Sequence, residues 1–434
     1  MELIISNINI ALYIFAWLLS LIIYLQKRKR FGAGGVIISL YLLFSIMSLL
    51  LYNSSFYSFN EITLFPFVYL FFMIRLVLWP ILKYDNYKII EIQKPNNLVL
   101  NIFCVSFIFA SLIQLPSIIS DFQINLLKLL YSSDGGQELY NDAMSNSFSS
   151  GDGNIANLAS IVSNAYGNLG ILLLFYYLTL KKKNKIILIG LFVSSLISFL
   201  INISLGQRGP IVETILSMVV TYYALRSFYS PSINKIIRTF GYSLLISIGI
   251  VLIALTNSRF KSNDGGSIAS IYFYSGQENL YFNNFGLDNG GIRYGDRVVP
   301  LFKRMIGFEN VPNNFWERRE KYRNLYINDE VFIGFIGDFT LDFGPIISIF
   351  ILIIFTFIVF RSTKIYNGRI KFHQLILIHF VICLCTLGGM KLHPFSDVGG
   401  NLQLIMYFLA FIIFRFDYES ISNRNKKSNI VYYK

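Results

Sequence analysis

Residues 206–213, GQRGPIVE, place an arginine, a proline and an acid at the beginning of a long apolar run. Pro210 suits the first position of a helix, because its missing N–H group would be unpaired there in any case. The free N–H groups of a first helical turn and the fork of a guanidinium together bind phosphate well. Gly209 lets a ligand approach the backbone closely. This pattern predicts a phosphate site at Arg208 and Gly209; the alternative is an interfacial arginine bound to lipid headgroups.

Three carboxylates could accept a proton near such a site. Glu213 lies one turn into the helix, where an acid is favoured by the helix dipole, but it could also pair with Arg208 or act on an acceptor hydroxyl. Asp338 and Asp342 lie four residues apart in the segment 334–345, GFIGDFTLDFGP, so they share a face if that segment is helical. Their apolar surroundings favour either a structural polar contact or a water-filled substrate cleft.

Further arginines lie in the long segment 257–329. They are Arg259, Arg293 and Arg297, and the last two fall within GGIRYGDRVVP, whose glycines favour turns. Guanidinium groups bind phosphate oxygens in a bidentate manner. These three arginines are therefore candidate ligands of the same phosphate.

Aromatic residues and a histidine complete the set of candidates. Tyr272, Tyr274 and Tyr281 could stack on sugar rings, although packing within the protein is the alternative for each. His393 lies near Lys391 in the short segment KLHPFSDVGG and is either a proton acceptor or merely an exposed residue. We therefore treat the tyrosines and His393 as candidate sugar-binding residues.

The rest of the chain indicates the kind of scaffold that carries these residues. The 434 residues are 54% hydrophobic and only 14% charged, whereas soluble domains contain about 25% charged residues. Apolar runs of about 20 residues, each able to cross a bilayer, recur along the sequence. They predict an all-α, polytopic membrane domain over residues 1–434 with about eleven spans. The predicted spans are 3–25, 36–53, 62–82, 98–116, 158–180, 186–203, 210–228, 239–256, 330–360, 374–390 and 401–414.

Basic clusters predict the orientation of these spans. They occupy every second connection and the C-terminal tail, and such clusters face the cytoplasm. The clusters are KRKR at 27–30, KKKNK at 181–185, the segments 226–238 and 361–371, and the tail RNKKS. With eleven spans, the N-terminus lies outside and the C-terminus in the cytoplasm.

Two long segments then lie on the extracytoplasmic side, 117–157 and 257–329. The first begins with an apolar stretch that predicts an interfacial helix. Its lipid-facing residues would be Leu126, Leu127, Leu129 and Leu130. The second is the largest loop of the chain, and its aromatic content argues against disorder.

Several classes of function receive no support from the sequence. It contains no P-loop, no G-x-S-x-G, no H-E-x-x-H and no D-x-D pair, and its three cysteines lack the spacing of a zinc site. We therefore predict neither a metal nor another cofactor. The net charge of +13 follows from the basic cytoplasmic connections, so a nucleic-acid partner is not predicted.

The arrangement resembles the Wzy-type polymerases of oligosaccharide repeat units, which serve bacterial O-antigen and capsule pathways. The shared features are R-G-P at 208–210 before a span, the large arginine- and tyrosine-bearing loop 257–329, and D-F-x-x-D-F-G-P at 338–345. The hydropathy pattern is similar over the whole chain, and the residue-level similarity covers about 204–216 and 331–346.

This resemblance implies a function and a place in the cell. Such enzymes transfer a growing glycan from undecaprenyl pyrophosphate to the sugar end of a new lipid-linked repeat unit. They act without a metal at the outer face of the bacterial cytoplasmic membrane, on an all-helical scaffold of the glycosyltransferase-C kind. The implied partners are undecaprenyl-pyrophosphate-linked glycans and membrane lipids, with a chain-length regulator as a further candidate.

The resemblance also implies roles for the candidate residues. Arg208 corresponds to the arginine that precedes the span, so Arg208 and Gly209 would bind the pyrophosphate together with Arg259, Arg293 or Arg297. A negative charge develops on the pyrophosphate as it leaves, and fixed cations and N–H groups can stabilise it. The base for the acceptor hydroxyl would be Asp338, Asp342 or Glu213, ahead of His393.

Three other functions remain compatible with the pattern. One of them, a non-enzymatic membrane sensor or scaffold, predicts that Arg208→Ala has no effect on glycan length. An O-antigen ligase would use the same donor and a similar loop but would transfer the glycan to a lipid A core. A flippase for lipid-linked oligosaccharides would instead line a central cavity with charges and show related halves. The charges gather at one predicted face and no halves match, which favours an enzyme.

Overall fold

A computed structural model of the chain describes residues 1–28, 31–86, 88–131, 138–139, 155–205, 207–260 and 266–431. It is 76% helical. The helices of the first half are α1 (Glu2–Lys27), α2 (Ala33–Tyr52), α3 (Leu64–Asn86), α4 (Asn97–Ile113), α5 (Leu115–Tyr131), α6 (Ile155–Thr179), α7 (Lys185–Ser204) and α8 (Arg208–Leu225).

The second half begins with a short 3₁₀ turn, Arg226–Phe228, and continues with eight further helices. These are α9 (Pro231–Phe260), α10 (Gly266–Phe285), α11 (Pro300–Met305), α12 (Phe315–Lys321), α13 (Gly334–Phe343), α14 (Pro345–Ser362), α15 (Phe372–Leu387) and α16 (Asp397–Val431). Two three-residue strands, β1 (Glu91–Gln93) and β2 (Arg369–Lys371), pair in parallel.

The predicted class is confirmed, because the chain is an all-α protein with several helices that could cross a membrane. Among the described residues, eight helices are long and apolar enough to do so. They lie within α1, α2, α3, α6, α7, α8, α14 and α16, and the apolar helices α4 and α15 are shorter. Helix α9 covers the predicted span 239–256. The total of eleven spans stays a prediction.

The predicted span 330–360 is long enough to be tilted or broken, and the structure shows that it is broken. The run 330–360 contains two helices, α13 and α14, which are separated at Gly344. Gly344 has φ 79°, a conformation that glycine adopts without strain, and Pro345 then begins α14. The short helix α13 therefore presents Asp338 and Asp342 independently of the long helix that follows.

The segment 257–329 contains more helix than the loop prediction implies. Helix α10 occupies 20 residues of it and packs along α2, while α11 and α12 are short. A Cβ atom on Gly276 would lie 2.7 Å from the backbone of Met47, so glycine permits this close approach. Ser48 donates a hydrogen bond to the Gly276 carbonyl oxygen at 2.8 Å.

Helix α15 lies at the centre of the fold. Every residue from Phe372 to Leu387 is buried except Leu377, as expected for a helix that is apolar on all sides. Its neighbours include α3, α8 and α16. Strand β2 directly precedes α15. The segment 388–396, termed here the α15–α16 loop, follows it.

The predicted helix after residue 117 is present as α5, which begins at Leu115. Leu127 is exposed, as predicted for a lipid-facing residue, while the side chains of Leu126, Leu129 and Leu130 lie outside the described residues. Within the remainder of the predicted loop, residues 132–137 and 140–154 also lie outside them.

Candidate functional site at the start of helix α8

Arg208 is the first residue of α8, and it joins three helices. Its Nη1 donates a hydrogen bond to the Thr256 hydroxyl of α9 at 2.9 Å. Its guanidinium also lies over the ring of Tyr274 on α10, 5.2 Å from the ring centroid, within the range of a cation–π interaction. The arginine is thus fixed from two sides at the N-terminus of α8.

A second cation reaches the same turn from the α15–α16 loop. Lys391 Nζ lies 3.2 Å from Glu213 Oε1, and both side chains are about one-third exposed. A Cβ on Gly209 would lie 3.5 Å from the same Nζ atom, so the lysine lies against the first turn of α8. Lys391 also lies over the ring of Phe332, at 5.5 Å from its centroid.

We define the α8 cluster as Arg208, Glu213, Tyr274, Phe332 and Lys391. The rings of Tyr274 and Phe332 are 5.7 Å apart, so they form an aromatic wall that contacts both cations. Two positive charges, one partly exposed carboxylate and two aromatic rings therefore meet at one helix N-terminus. This combination suits a ligand with an anionic group and an adjacent ring.

The helix α8 begins close to the predicted residue, but the position of Pro210 within it differs from the prediction. Proline was predicted at the first helical position, but the helix begins two residues earlier and Pro210 is its third residue. The first four N–H groups of a helix have no partner within it, so proline still costs no hydrogen bond there. The N-terminal neighbour Gln207 makes no side-chain cap.

The other predicted arginines belong to a different, buried group. We define the arginine–aspartate cluster as Arg293, Arg297, Arg318, Asp329, Asp338 and Asp342. The guanidinium of Arg293 donates to three carboxylates, at 2.7 Å to Asp342, 2.8 Å to Asp329 and 3.1 Å to Asp338. Its side chain is only 1% exposed.

Arg297 and Arg318 extend this cluster. Arg297 lies 2.6 Å from an oxygen of Asp329 and 3.0 Å from one of Asp338. Arg318 contacts Asp329 and, at 2.6 Å, the half-exposed Asp397. Burial alone would raise the pKa of Asp329, but the adjacent arginines hold it well below its ordinary value. Three buried cations thus face three buried anions.

The local backbone gives the cluster its geometry. The turns predicted for GGIRYGDR are present, since Gly290, Gly291 and Gly295 all have positive φ. Asp342 uses its second oxygen to accept the backbone N–H groups of Arg297 and Val298, at 3.1 and 2.7 Å. The carboxylates on the α13 face therefore fix the turn as well as its arginines.

These contacts change the interpretation of four predicted site residues. Asp338 and Asp342 share a face of α13, as the spacing predicts, but both are fully buried and hydrogen-bonded. Arg293 and Arg297 are ion-paired with them rather than with a partner on the protein surface. In this arrangement the four residues hold the turn and α13 together. For the two aspartates, this is the structural alternative that the sequence left open.

His393 is buried, so its interpretation as an exposed loop residue is wrong. Its backbone N–H donates to Asp338 at 2.7 Å, and its Nδ1 accepts from the N–H of Phe395 at 3.1 Å. That second bond assigns the proton of the neutral ring to Nε2. Burial lowers the pKa of His393 to about 4, so the imidazole is neutral near pH 7.

The α15–α16 loop connects the two clusters. Lys391 contacts Glu213 in the α8 cluster, and two residues later His393 is tied to Asp338 in the arginine–aspartate cluster. The carbonyl oxygen of Lys391 also accepts the N–H of Gly334 at 3.0 Å, at the start of α13. The buried cluster therefore positions the loop from which Lys391 reaches α8.

The remaining candidates divide between packing and the α8 cluster. Tyr272 packs partly buried against the core, and Tyr281 contacts Phe59 and Phe285. Tyr274 alone of the three tyrosines belongs to the α8 cluster. The backbone of Arg259 lies in α9, but its side chain lies outside the described residues.

Sequence reasoning missed several residues of these sites. Lys391 was noted only as a neighbour of His393, and Phe332, Asp329 and Arg318 carried no individual signal. Arg318 lies in ERREKYR, which resembles a solvated helix, yet its side chain is buried. Only the tertiary fold shows which member of a charged run faces inward.

Glu278 is a further buried acid that the pattern did not indicate. It lies one turn after Tyr274 on α10, it is 4% exposed, and its Oε2 has no hydrogen-bond partner within the described part of the chain. Tyr41 and Gly334 line the same small space. A lone glutamate in an aromatic helix gives no sequence signal of burial.

The described residues contain no group of three or more His, Cys, Asp or Glu side chains that could hold a metal ion. Comparisons of the chain with models of protein families, with curated proteins and with solved structures gave no match.

Proposed function

We propose that this protein is a polymerase of undecaprenyl-pyrophosphate-linked oligosaccharide repeat units, which builds O-antigen or capsular polysaccharide. The observation that carries the proposal is the α8 cluster, in which Arg208 begins the helix and Lys391 pairs with Glu213 in its second turn. Two cations at the N-terminus of a helix suit a pyrophosphate. The resemblance at 208–210 and 338–345 supports this family of reaction.

In the proposed reaction, the pyrophosphate of the donor binds at the first turn of α8. Arg208, Lys391 and the N–H groups near Gly209 contact its oxygens and stabilise the negative charge that develops as the sugar–oxygen bond breaks. Tyr274 and Phe332 lie beside both cations, where a flat ring could stack on the first donor sugar. Undecaprenyl pyrophosphate is the leaving group.

Glu213 is the proposed base. It is the carboxylate of the α8 cluster and is about one-quarter exposed, whereas Asp338 and Asp342 are fully buried. The acceptor hydroxyl attacks the anomeric carbon of the donor and transfers its proton to the Glu213 carboxylate. Asp338 and Asp342 then act as positioning residues, because they hold the turn and the α15–α16 loop that carries Lys391.

The proposal includes a place in the cell. The enzyme would lie in the bacterial cytoplasmic membrane with the start of α8 at the outer face, the N-terminus outside and the C-terminus in the cytoplasm. Its partners would be the lipid-linked glycans and a chain-length regulator. The basic connections opposite the α8 cluster support this orientation.

The first prediction concerns Arg208→Ala and Lys391→Ala. Each variant should accumulate single repeat units and lose the ladder of longer chains, because loss of one stabilising charge costs about 10²–10³ in rate in comparable sites. Glycan length is read on gels of cell-surface polysaccharide, and membrane levels of the protein are measured by immunoblot. The control Arg323→Ala removes an exposed arginine of the segment 257–329, outside the α8 cluster, and should leave the ladder unchanged.

A reconstituted reaction separates the related enzymes. Purified protein with one lipid-linked repeat unit should yield dimers and longer chains on undecaprenyl pyrophosphate, and Glu213→Gln should abolish them. A second reaction also contains lipid A core, and a product found only on that core would identify a ligase. Normal ladders in both cation variants would refute the role of the α8 cluster.

A further inference from the structure

A large apolar groove extends from the middle of α8, near Glu213, to the C-terminal end of that helix. Its volume is about 1180 Å³, and it runs between α6, α7, α8 and α9. Small-molecule sites typically have volumes of about 300–1,000 Å³, so this groove could hold more than a drug-sized ligand. On α8 it reaches from Ile215 to the C-terminal end, while Arg208 occupies the opposite end. An 18-residue helix is about 27 Å long, so the two sites face opposite ends of the bundle.

Three cations gather at one end of the groove. Lys183 lies in the α6–α7 connection, Arg226 follows α8, and Arg238 lies in the first part of α9. The residues that line the groove include no aspartate or glutamate within the described part of the chain. The rest of the lining is predominantly aliphatic and aromatic. The groove is therefore apolar along its length and cationic at one end.

The side of the membrane on which the cations lie indicates which class of ligand they would bind. They lie at the helix ends that carry the basic connections, which is the end that the positive-inside pattern assigns to the cytoplasm. Basic pockets between membrane helices on that side suit anionic lipid headgroups. A polyprenyl chain held at the α8 cluster would have its pyrophosphate at the far end and would leave these cations without a counterion.

We infer that the groove between α6 and α9 is a binding site for an anionic phospholipid of the cytoplasmic leaflet, with its headgroup at Lys183, Arg226 and Arg238. The acyl chains occupy the apolar part that Phe192, Ile215 and Leu245 line. This site does not depend on the proposed polymerase activity.

The lipid would also support α9. Helices α8 and α9 pack directly around Phe199, Ile211 and Ile248, whereas the groove separates them closer to the cations. Thr256, which accepts the hydrogen bond of Arg208, lies in the last part of α9. A bound lipid therefore fills the gap between α8 and α9, and α9 is the helix whose Thr256 holds Arg208.

The test measures the thermal stability of delipidated protein in detergent. Phosphatidylglycerol should raise the Tm, while phosphatidylcholine with the same acyl chains should have a much smaller effect. The triple variant Lys183→Gln, Arg226→Gln, Arg238→Gln should weaken the half-maximal response on the order of a hundredfold, at about 1 kcal/mol for each cation. The control Lys181→Gln, Lys182→Gln, Lys185→Gln removes the same charge from exposed lysines and should respond like the wild type.

A second variant fills the groove without changing its charge. Gly241 lines the groove, and no atom lies within 4 Å of the position of its Cβ, so Gly241→Trp can place its ring there. Its matched control is Gly249→Trp, on the same helix, with equally open space but outside the lining. Gly241→Trp should lose the phosphatidylglycerol response, and Gly249→Trp should keep it.

Three results would overturn the inference. Equal stabilisation by both phospholipids would make the groove a nonspecific apolar surface. An unchanged response of the triple variant to phosphatidylglycerol would show that the three cations do not bind the headgroup. A response to undecaprenyl phosphate that Gly241→Trp abolishes would assign the groove to the prenyl chain. The polymerase assay of Arg208→Ala reports on the proposed function separately.

Discussion

At the residue scale, Arg293 shows how a charged side chain can be buried. Its three carboxylate partners supply an acceptor for each of its donating nitrogens, so its charge is compensated where water is excluded. Removing one partner from a buried ion pair typically costs about 3–5 kcal/mol, because the remaining charge stays buried. An exposed pair contributes about 0–1 kcal/mol.

These magnitudes give a prediction for Asp338→Asn. The variant should unfold at a markedly lower temperature, with a loss of about 3–5 kcal/mol, since Arg293 and Arg297 both lose a negative partner. The control Glu330→Gln breaks the exposed pair with Arg319 and should change stability by less than about 1 kcal/mol. Thermal unfolding of the purified protein measures both. An unchanged Tm together with lost polymerisation would make Asp338 a direct participant in the reaction.

At the element scale, the contact between α10 and α2 depends on the absence of a side chain at Gly276. A Cβ there would lie 2.7 Å from the backbone of Met47, and backbone cannot move aside as a flexible side chain can. The hydrogen bonds of Ser48 to Gly276 and from Asn279 to Ser48 depend on the same approach. Helix α10 in turn carries Tyr274 to the α8 cluster.

Gly276→Ala should therefore destabilise the protein, even though alanine is intrinsically better than glycine in a helix by about 1 kcal/mol. The matched control is Gly249→Ala, where the added methyl group meets no atom within 4 Å and should leave stability unchanged or slightly higher. The two variants are compared by thermal unfolding. A Gly276→Ala protein as stable as the wild type would show that the α2–α10 interface relaxes easily.

The elements also show what the sequence could and could not predict. Long apolar runs predicted the membrane helices, because burial in lipid or in the bundle requires the same composition. The runs could not reveal the break at Gly344, since apolar residues continue on both sides of it. They also could not reveal α10, whose polar residues Gln277, Glu278 and Asn279 are all buried by tertiary packing.

The candidate site was predictable only in part for a related reason. Arg208 and Glu213 are close in sequence, so one helix brings them together. Lys391 lies 178 residues from Glu213, and no local pattern links the two. Arg293 and Asp342 were both singled out from the sequence, but their pairing with each other depends on a contact over 49 residues.

At the scale of the whole molecule, the proposed orientation predicts which surfaces are reachable from each side of the membrane. Cys104, Cys383 and Cys385 are buried, so the natural thiols should give little background in labelling experiments. Met305 at the end of α11 and Lys182 in the α6–α7 connection are both exposed. They lie on segments that the orientation assigns to opposite faces.

Met305→Cys should react with a membrane-impermeant maleimide in intact cells, or in spheroplasts where an outer membrane is present. Lys182→Cys should react only after the cytoplasmic membrane is permeabilised. Labelling of the unsubstituted protein serves as the background control. The reverse pattern would place the α8 cluster on the cytoplasmic side and would exclude the outer-face reaction.

The ion pair between Lys391 and Glu213 has a consequence for the timing of the proposed reaction. While the donor is absent, the lysine neutralises the very carboxylate that would accept the proton. Arrival of a pyrophosphate offers the ammonium a stronger counterion and releases the glutamate. Glu213 would then accept the proton of the acceptor hydroxyl only after the lipid-linked donor has bound. This order would limit hydrolysis of the donor by water.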